Sequence, residues 1–514
     1  MAQAETIIIS LRMFLKGQVW VALAWLVGMF SGGCATADTK SPQPAAGAAS
    51  SIVPPQPARE FRGIWIATVD NIDWPSKKDL STAEQKAELL ALLDRAAKLK
   101  FNAVIFQVRP QCDALYPSQL EPWSEFLTGQ MGQAPSPMWD PLAFAITEAH
   151  KRGMELHAWF NPYRALHPAA KSAVSANHIS RTKPQLVRSY GKYLWLDPGE
   201  REVQDYSLAV VMDVVKRYDV DGVHFDDYFY PYPEKDASGQ EEDFPDDASW
   251  QKSDKNMSRA DWRRENSNAL VQRVYQAIKA EKPWVKFGLS PFGIWQPGNP
   301  PQIKGFNQHE KLYADARKWL VNGWADYFAP QLYWPIDPPA QSFSALLNWW
   351  NSQNPKHRHI WPGIAISRLS EGWKPEEIVR QIRLSEKQPV SSGQILYSMK
   401  HLGRNPALAS ALQTGAYREA ALIPAMPWLR EAAPQQPTVT VTPRHSPLVS
   451  WNPSPGDASQ LWVLQYRASG VWKTEIYSAA TRSVTIQAKN VDAVAVSAVN
   501  RVGAISAPAV RPVR

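Results

Sequence analysis

The feature that most constrains this chain is a regular alternation of short apolar strands with amphipathic helical stretches, which begins near residue 60. Helical periodicity is clear in residues 83–100 and 140–153, which separate strand-like segments. Such an alternation predicts a parallel sheet with helices on its outside. The strand-like segments lie at residues 62–69, 102–110, 155–163, 221–228, 286–293, 327–334, 360–367 and 393–399.

Eight such repeats predict an α/β fold of the (β/α)8 type, a TIM barrel, over residues 59–430. A doubly wound open sheet is the alternative. The first strand is not followed by a glycine-rich phosphate turn, which counts against a nucleotide-binding version of that open sheet. We therefore expect an active site at the carboxyl ends of the strands, where it lies in barrels of this kind.

The two faces of the predicted strands differ in polarity, because alternate side chains point to opposite faces. One face is almost entirely apolar, as in Val104, Phe106 and Val108 of the second strand. The opposite faces of four strands carry polar or aromatic side chains, and these converge on one end of the barrel. They are Gln107 and Arg109; His157, Trp159, Asn161 and Tyr163; His224 and Asp226; and Gln331 and Tyr333.

The densest chemistry lies in the fourth strand and its exit, VDGVHFDDYFYPYP at residues 220–233. Asp221 opens the strand and is expected to be structural. Asp226 and Asp227 close it, and two adjacent carboxylates in an apolar, aromatic stretch are costly to bury unless they are used. Glycoside cleavage needs one carboxyl group as an acid and another as a nucleophile, base or charge stabiliser. We predict that Asp226 has the nucleophilic or charge-stabilising role and that Asp227 is the acid or holds the loop.

Polar and aromatic side chains are predicted to surround this pair as a substrate-binding shell. Arg109 would keep a carboxylate ionised, and Gln107 and Asn161 would bond to sugar hydroxyls. Aromatic rings match the C–H face of a pyranose, and the chain contains 23 Trp residues. The predicted binding residues are Gln107, Arg109, Asn161, Tyr163, His224, Tyr228, Gln331, Tyr333 and Trp334, with Trp74 as a further stacking candidate.

The identity of the second catalytic carboxylate is left open by the sequence. Asp227 leads, and the other candidates by loop position are Asp70, Asp73 and Asp337, with Glu371 a loop candidate after the seventh strand. Because no Glu stands at the end of strand four or seven, a non-catalytic glycan-binding protein is one alternative function.

A metal-dependent deacetylase is the second alternative, with His157, His224, Asp226 and Asp227 as ligands. The first strand lacks the paired histidines of such a barrel, and no HxxxH helix is present. We therefore predict no metal and no cofactor.

The first 58 residues are typical of an export signal and a tether. The apolar run at residues 19–30 is short for a bilayer span and fits a secretory signal peptide. It leads into Ser31-Gly32-Gly33-Cys34, which resembles a bacterial lipoprotein cleavage site, so residues 1–34 are predicted to be a signal peptide with Cys34 lipidated. Ala35 favours, by analogy, the outer membrane facing the periplasm. The Ala-, Pro- and Ser-rich residues 35–58 predict a disordered linker.

The predicted secondary structure changes after Pro424, from alternating strands and helices to strands alone. Strand-like runs at residues 437–443, 460–468, 483–489 and 493–500 predict a small β-sandwich over 435–514. Its ending, VSAVNRVGAISAP, resembles the last strands of a fibronectin type III domain, and we expect a spacer or a wall-binding module.

The net charge of +8 is spread along the chain without a Lys/Arg run, so no nucleic-acid partner is expected. Cys112 is expected to be an unpaired thiol.

Seven long motifs, in the same order, resemble the glycosyl-hydrolase-10-like lipoproteins, also known as domain of unknown function 187, over about residues 58–430. The resemblance implies a TIM-barrel hydrolase of the bacterial envelope that acts on peptidoglycan glycan strands stripped of their stem peptides, with division-site proteins as partners. It also implies that Arg264 and Asn266 belong to the site region. The motifs are EFRGIWIATVDNIDWPS (60–76), VIFQVRPQCDALYPS (104–118), WFNPYR (159–164), VDGVHFDDYFYPYP (220–233), WRRENSN (262–268), LSPFGIW (289–295) and PQLYW (330–334).

Overall fold

The computed structural model of this chain describes residues 52–388 and 392–513. The predicted signal peptide, Cys34 and residues 35–51 of the predicted linker lie outside the described residues. The rest of the predicted linker contains no helix and no regular strand, and its Pro55 carbonyl accepts a hydrogen bond from Gln465. In the described part of the chain, no helix combines the length and apolarity that a bilayer crossing requires.

All eight predicted barrel strands are present, and most are shorter than predicted. They form one parallel sheet, whereas a separate three-stranded antiparallel sheet lies in the segment after the third barrel strand and was not predicted. In chain order the strands of both sheets are β1 Phe61–Ile66, β2 Ala103–Arg109, β3 Glu155–Phe160, β4 Arg164–Leu166, β5 Val187–Tyr190, β6 Tyr193–Leu196, β7 Gly222–Phe225, β8 Lys286–Leu289, β9 Tyr327–Phe328, β10 His359–Ile360, β11 Gly363–Ala365 and β12 Gly393–Tyr397.

The parallel sheet curls so far that the strands at its two edges are consecutive in the sequence. Its strand order is β10-β9-β8-β7-β3-β2-β1-β12-β11. The end strands β10 and β11 are two pieces of the seventh predicted strand, separated only by Trp361 and Pro362. Proline has no N–H for the sheet ladder, which accounts for the break. Gly363 still donates to the Pro330 carbonyl at 2.9 Å, so the segment bonds to both neighbours. The parallel α/β prediction is confirmed, with a TIM-barrel-like architecture.

Helices lie between the barrel strands, and both helices predicted above are present. In α1, Ser81 and Glu84 form a capping box at the first turn, and Leu89 and Leu93 face the core. In α3, Asp140 caps the first turn through the Ala143 amide. The helices are α1 Thr82–Lys98, α2 Glu125–Thr128, α3 Pro141–Lys151, α4 Ile179–Thr182, α5 Arg201–Arg217, α6 Asp247–Gln251, α7 Arg259–Glu281, α8 Gln308–Lys311, α9 Ala316–Asn322, α10 Phe343–Ser352, α11 Pro375–Glu386, α12 Met399–Gly403 and α13 Pro406–Ala411.

The barrel interior is filled by aromatic and branched side chains, so it is a packed core and not a channel. Phe61 stacks on Trp361 with ring centroids 3.8 Å apart, and Tyr327 packs beside them. Gly288 in β8 makes room for Tyr327, because a Cβ there would lie 1.9 Å from its ring. At the amino-terminal end, Asp221 accepts hydrogen bonds from His150 and from the Leu156 amide, which confirms its structural role.

The C-terminal residues form two antiparallel sheets with a shared apolar core. One sheet has the order β13-β14-β17 and the other β16-β15-β18-β19. Trp451 and Trp462, from different sheets, are both buried with ring centroids 6.2 Å apart. The fibronectin type III identity of this part stays a prediction. These strands are β13 Thr438–Thr442, β14 Leu448–Asn452, β15 Leu461–Ala468, β16 Val471–Ser478, β17 Ser483–Thr485, β18 Val491–Val499 and β19 Ala509–Pro512.

The C-terminal sheets contact the barrel at the amino-terminal end of its strands. Arg501 forms an ion pair of 2.7 Å with Asp219, which precedes β7. The Met426 amide donates to the Val502 carbonyl, and Leu422 packs with Val463 and Val499. The carboxyl ends of the strands therefore face away from these contacts.

Candidate active site

A cavity of about 280 Å³ lies at the carboxyl ends of the barrel strands, where the sequence predicts the active site. Its lining residues come from within or just after β1, β2, β3, β7, β8, β9 and β12, and from the loops that follow them. They are Trp65, Val69, Ile72, Gln107, Trp159, Arg164, His167, Asp226, Asp227, Tyr228, Ser290, Gln331, Tyr333 and Tyr397.

Asp226 directly follows β7 and is 4% exposed. Trp159 donates its indole N–H to Oδ2 at 3.0 Å, and the Asn161 amide lies 3.3 Å from both carboxyl oxygens. Burial raises the pKa of Asp226 to about 7, and the neighbouring charge of Asp227 adds to this rise. Arg164 and the two N–H donors lower this pKa but do not offset the burial.

Asp227 is equally buried and lines the same cavity. Its Oδ2 accepts a short hydrogen bond from the Tyr232 hydroxyl, and the Gln331 side chain also bonds to it. Burial raises the pKa of Asp227, and these hydrogen bonds oppose the rise. Two adjacent acids with raised pKa values titrate as a pair, and the charge on Asp227 disfavours ionisation of Asp226.

The arginine beside the pair is Arg164 and not Arg109. Arg164 lines the cavity, lowers the pKa of both aspartates and lies over the Tyr228 ring at 5.0 Å. The prediction that Arg109 keeps a catalytic carboxylate ionised is wrong. Arg109 lies outside the lining, and its guanidinium forms a buried ion pair with Glu121. The sequence pattern could not show that Glu121 satisfies this charge.

Of the other predicted binding residues, Gln107, Tyr228, Gln331 and Tyr333 line the cavity. Asn161 lies outside the lining and positions two residues that belong to it. Its side-chain amide donates to Asp226, and its side-chain oxygen accepts from the Arg164 backbone amide. Three predicted stacking residues lie outside the lining, which corrects their assignment. The three are Tyr163, which is fully buried, Trp334, which packs on Phe292, and Trp74, whose indole donates to the Gln85 carbonyl.

Gln107 presents an unpaired donor at the cavity wall. Its Oε1 accepts from the Thr68 and Val69 amides at 3.0 and 2.9 Å, and these two donors fix the orientation of the side-chain amide. Its Nε2 is buried and has no hydrogen-bond partner among the described residues. Because an unsatisfied buried donor is costly, this N–H group is suited to an oxygen atom of a ligand.

His224 lies beneath the cavity and supports its floor. Its Nε2 accepts from the Trp65 indole at 3.3 Å, and its Nδ1 lies 2.9 Å from the Tyr327 hydroxyl. An indole N–H only donates, so the proton of His224 is on Nδ1. Burial lowers the pKa of His224 well below its usual value, so the ring is neutral. His224 therefore positions Trp65 and does not itself line the cavity.

The geometry of the histidines bears on the metal-dependent alternative. His157 shares the Tyr327 hydroxyl with His224 and bonds to Glu155 on its other side, deeper in the barrel. Within residues 52–388 and 392–513, no group of three or more His, Cys, Asp or Glu side chains has the arrangement of a metal site. The set His157, His224, Asp226 and Asp227 is thus not brought together as ligands.

The other carboxylate candidates lie outside the cavity lining. Asp73 is half-buried and accepts hydrogen bonds from the Ser398 hydroxyl and from the Lys400 and Ala67 amides, so it links three segments of loop. Asp70, Asp337 and Glu371 are exposed, and the latter two bond to surface arginines. Among the described lining residues, Asp226 and Asp227 are the only carboxylates.

Several lining residues were missed as site residues although strand parity indicated some of them. Trp159 lies on the face of the third strand that parity had already indicated, but it was not named as a binding residue. Trp65 and Tyr397 lie on the inward faces of β1 and β12, so the parity rule extended to these two strands would have found them. Arg164 opens the short antiparallel strand β4, which is not part of the barrel, so barrel-strand parity gives no information on it. Tyr232 lies in the loop after β7 and bonds to Asp227 from outside the lining. Arg264 and Asn266, implied by the family resemblance, lie on α7 outside the lining, where Arg264 pairs with Asp261 and Asn266 bonds to Tyr230.

A parallel barrel with two buried carboxylic acids at the exit of its fourth strand, beside aromatic and amide side chains, is an arrangement of glycan-acting barrel proteins. This chain belongs to the Glycosyl hydrolase-like 10 family, whose sequence model matches residues 60–378. The family resemblance of the motifs is thereby confirmed.

Relatives of this chain carry glycosyl hydrolase names. Glycosyl hydrolase YngK of Bacillus subtilis (strain 168) is 44% identical over 401 residues, which cover 75% of this chain and 77% of YngK. Glycosyl hydrolase DigH of Escherichia coli (strain K12) is 36% identical over 393 residues, which cover 70% of this chain and 88% of DigH. Among solved structures, the PgaB (BpsB) glycoside hydrolase domain of Bordetella bronchiseptica matches with a TM-score of 0.45 and 13% identity, over 69% of this chain and 98% of that one.

Proposed function

We propose that this protein is a glycoside hydrolase that cleaves O-glycosidic bonds in peptidoglycan glycan strands stripped of their stem peptides. The observation that carries the proposal is the pair Asp226 and Asp227 in one cavity, both with raised pKa values. Glycoside hydrolysis at neutral pH needs a protonated and an ionised carboxyl group together. A buried pair that holds one proton supplies both.

The shape and chemistry of the cavity support a sugar as the ligand. At about 280 Å³ it lies just below the usual range of ligand pockets, which is about 300–1,000 Å³. This volume suits a sugar ring better than a peptide-bearing stretch of glycan. Aromatic walls and the free Gln107 N–H supply stacking surfaces and a hydrogen bond to a sugar oxygen. The choice of stripped peptidoglycan strands rests on the family resemblance.

The proposal places the protein in the bacterial envelope. Lipidation of Cys34 would anchor it in the outer membrane facing the periplasm, and division-site proteins would be its partners. The C-terminal sheets, as a fibronectin type III-like spacer or wall-binding module, contact the barrel at the end opposite the cavity. Wall binding by these sheets would leave the cavity accessible to a glycan strand.

The test uses the chain from Ala35 onward and three assays, which measure sugar release, acetate release and binding to glycan strands. Peptide-free glycan strands, obtained by amidase treatment of sacculi, and intact sacculi are incubated with the protein, and soluble sugar fragments and free acetate are measured. We expect sugar fragments from the stripped strands, at a rate unaffected by a chelator. Strand binding without any product would contradict hydrolysis and favour a glycan-binding protein. Release of acetate that stops with the chelator would favour the metal-dependent deacetylase.

A further inference from the structure

The two carboxylic acids of the cavity are consecutive residues. Their Cα atoms are about 3.8 Å apart, so both side chains approach a bound sugar from the exit of one strand. Two-carboxylate mechanisms place the acid and its partner on opposite sides of the scissile bond, about 5–5.5 Å apart in retaining and 6.5–9.5 Å apart in inverting enzymes. Across the cavity, the segment after β9 contributes Tyr333 and the end of β12 contributes Tyr397, and neither has a carboxyl group. Burial raises the pKa of both phenols, which disfavours the phenolate that a tyrosine nucleophile needs. The described lining thus has neither a carboxylate nor a readily ionised phenol on that side.

The substrate can provide the missing nucleophile. From this we infer that the reaction uses the substrate's own 2-acetamido group, so that the sugar held beside Asp226 and Asp227 must be an N-acetylated hexosamine with its leaving oxygen trans to that group. This inference rests on the proposed function and deepens it, because it assigns the substrate class at the reacting position. Substrate assistance of this kind is a recognised exception to the two-carboxylate scheme.

The floor of the cavity fits an acetamido group. Trp65 and Trp159 both contact His224 edge-on, with centroids 5.8 and 6.4 Å from its ring, and form an apolar surface beside Asp226. Such a surface accepts a methyl group, and the Asp226 carboxylate accepts an amide N–H. Trp159 and Asn161 already donate to Asp226. A third N–H from the substrate stabilises its charged form further, so the proton of the pair moves to Asp227.

The step balances without a further reactant. The acetamido oxygen bonds to C1 as the C1–O bond to the leaving sugar breaks, and Asp227 gives its proton to the leaving oxygen. Asp226 takes the amide proton, which leaves a neutral oxazoline. Water then adds to C1 and loses a proton to Asp227, while Asp226 returns its proton to the nitrogen as the oxazoline ring opens. The pair ends as it began, with one proton.

The test compares N-acetylated stripped strands with the same strands after chemical de-N-acetylation, and measures the affinity of a thiazoline analogue of the oxazoline by calorimetry. We expect cleavage of the acetylated strands only, and competitive inhibition by the thiazoline. Similar cleavage of both substrates, or a covalent glycosyl adduct on a carboxyl group with a 2-fluoro sugar, would overturn this inference and leave the proposed function intact. Cleavage of neither would overturn the proposed function and the inference with it.

Two variants separate the roles within the pair. Asp227→Asn is expected to lose about 10²–10⁴-fold in turnover of glycan strands, the usual contribution of a general acid, and to regain much of it on an oligosaccharide with an activated aryl leaving group. Asp226→Asn is expected to lose turnover on both substrates and to bind the thiazoline more weakly, whereas Asp227→Asn binds it normally. Equal thiazoline affinity in wild type and Asp226→Asn would contradict the role of Asp226.

Discussion

The hydrogen bond from Trp159 to Asp226 allows a quantitative prediction. Trp159→Phe keeps an aromatic ring in place and removes the indole N–H that lies 3.0 Å from Oδ2. A hydrogen bond to a charged group contributes about 1.5–3 kcal/mol, and 1.36 kcal/mol corresponds to one pH unit in a pKa. Because the bond stabilises the ionised form, its loss should raise the pKa of Asp226, about 7 in the wild type, by about one to two pH units.

This shift is measurable in the pH dependence of kcat/KM on stripped glycan strands. The active pair holds one proton, so the basic limb of the profile reports the loss of that proton and should move upward in Trp159→Phe. The matched control is Trp65→Phe, since the Trp65 indole lines the same cavity but donates to His224 and not to a carboxylate. A basic limb that stays in place or moves to lower pH in Trp159→Phe, or that moves equally in Trp65→Phe, would refute the reasoning.

Three further predictions concern single side chains. Asp226→Asn should stabilise the fold at pH 8 but not at pH 4. The carboxyl group ionises near pH 4 in the unfolded chain and near pH 7 in the folded protein, so the wild type loses up to about 4 kcal/mol of folding stability as the pH rises between these values. Thermal melts of both proteins at pH 4 and pH 8 measure the difference. Gln107→Glu keeps an acceptor for the Thr68 and Val69 amides but removes the free donor, so glycan-fragment affinity measured by calorimetry should fall about tenfold or more while the melting temperature changes little. Arg109→Ala removes the buried ion-pair partner of Glu121 and should lower the free energy of unfolding, measured in urea, by about 3–5 kcal/mol. Turnover by the folded fraction should stay near normal. A loss of turnover without a loss of stability would show that Arg109 does act in the active site.

Regular structure explains what the sequence could predict. The eight strand segments are recognisable because they are apolar and separated by amphipathic helices, and strand parity correctly predicted Gln107 at the cavity. Gln331 and Tyr333 also line the cavity as predicted, although β9 ends before them at Phe328. Parity failed for Tyr163, because β3 ends at Phe160 and the alternation of side chains ends with it. The seventh strand was predicted unbroken, although Pro362 interrupts its ladder.

Long-range pairing explains what the sequence could not predict. Arg109 has the inward parity of a site residue, but Glu121 from the following loop neutralises it. Arg164 approaches the carboxylates from β4, an antiparallel strand outside the barrel, and Tyr232 from the loop after β7, so the parity of the barrel strands fixes the direction of neither side chain. The raised pKa of Asp226 depends on burial by several strands at once, which a local pattern does not contain.

The most direct test of the central claim is the rate at which new reducing ends appear in stripped glycan strands. It compares the wild type with Asp226→Asn, Asp227→Asn and the surface control Asp337→Asn, whose side chain lies outside the cavity and pairs with Arg380. We predict fragments from the wild type and from Asp337→Asn at equal rates, and a loss of at least about 100-fold in both cavity variants while they remain folded. Equal rates in all four proteins, or no product from the wild type, would contradict the assignment of Asp226 and Asp227 as the catalytic pair.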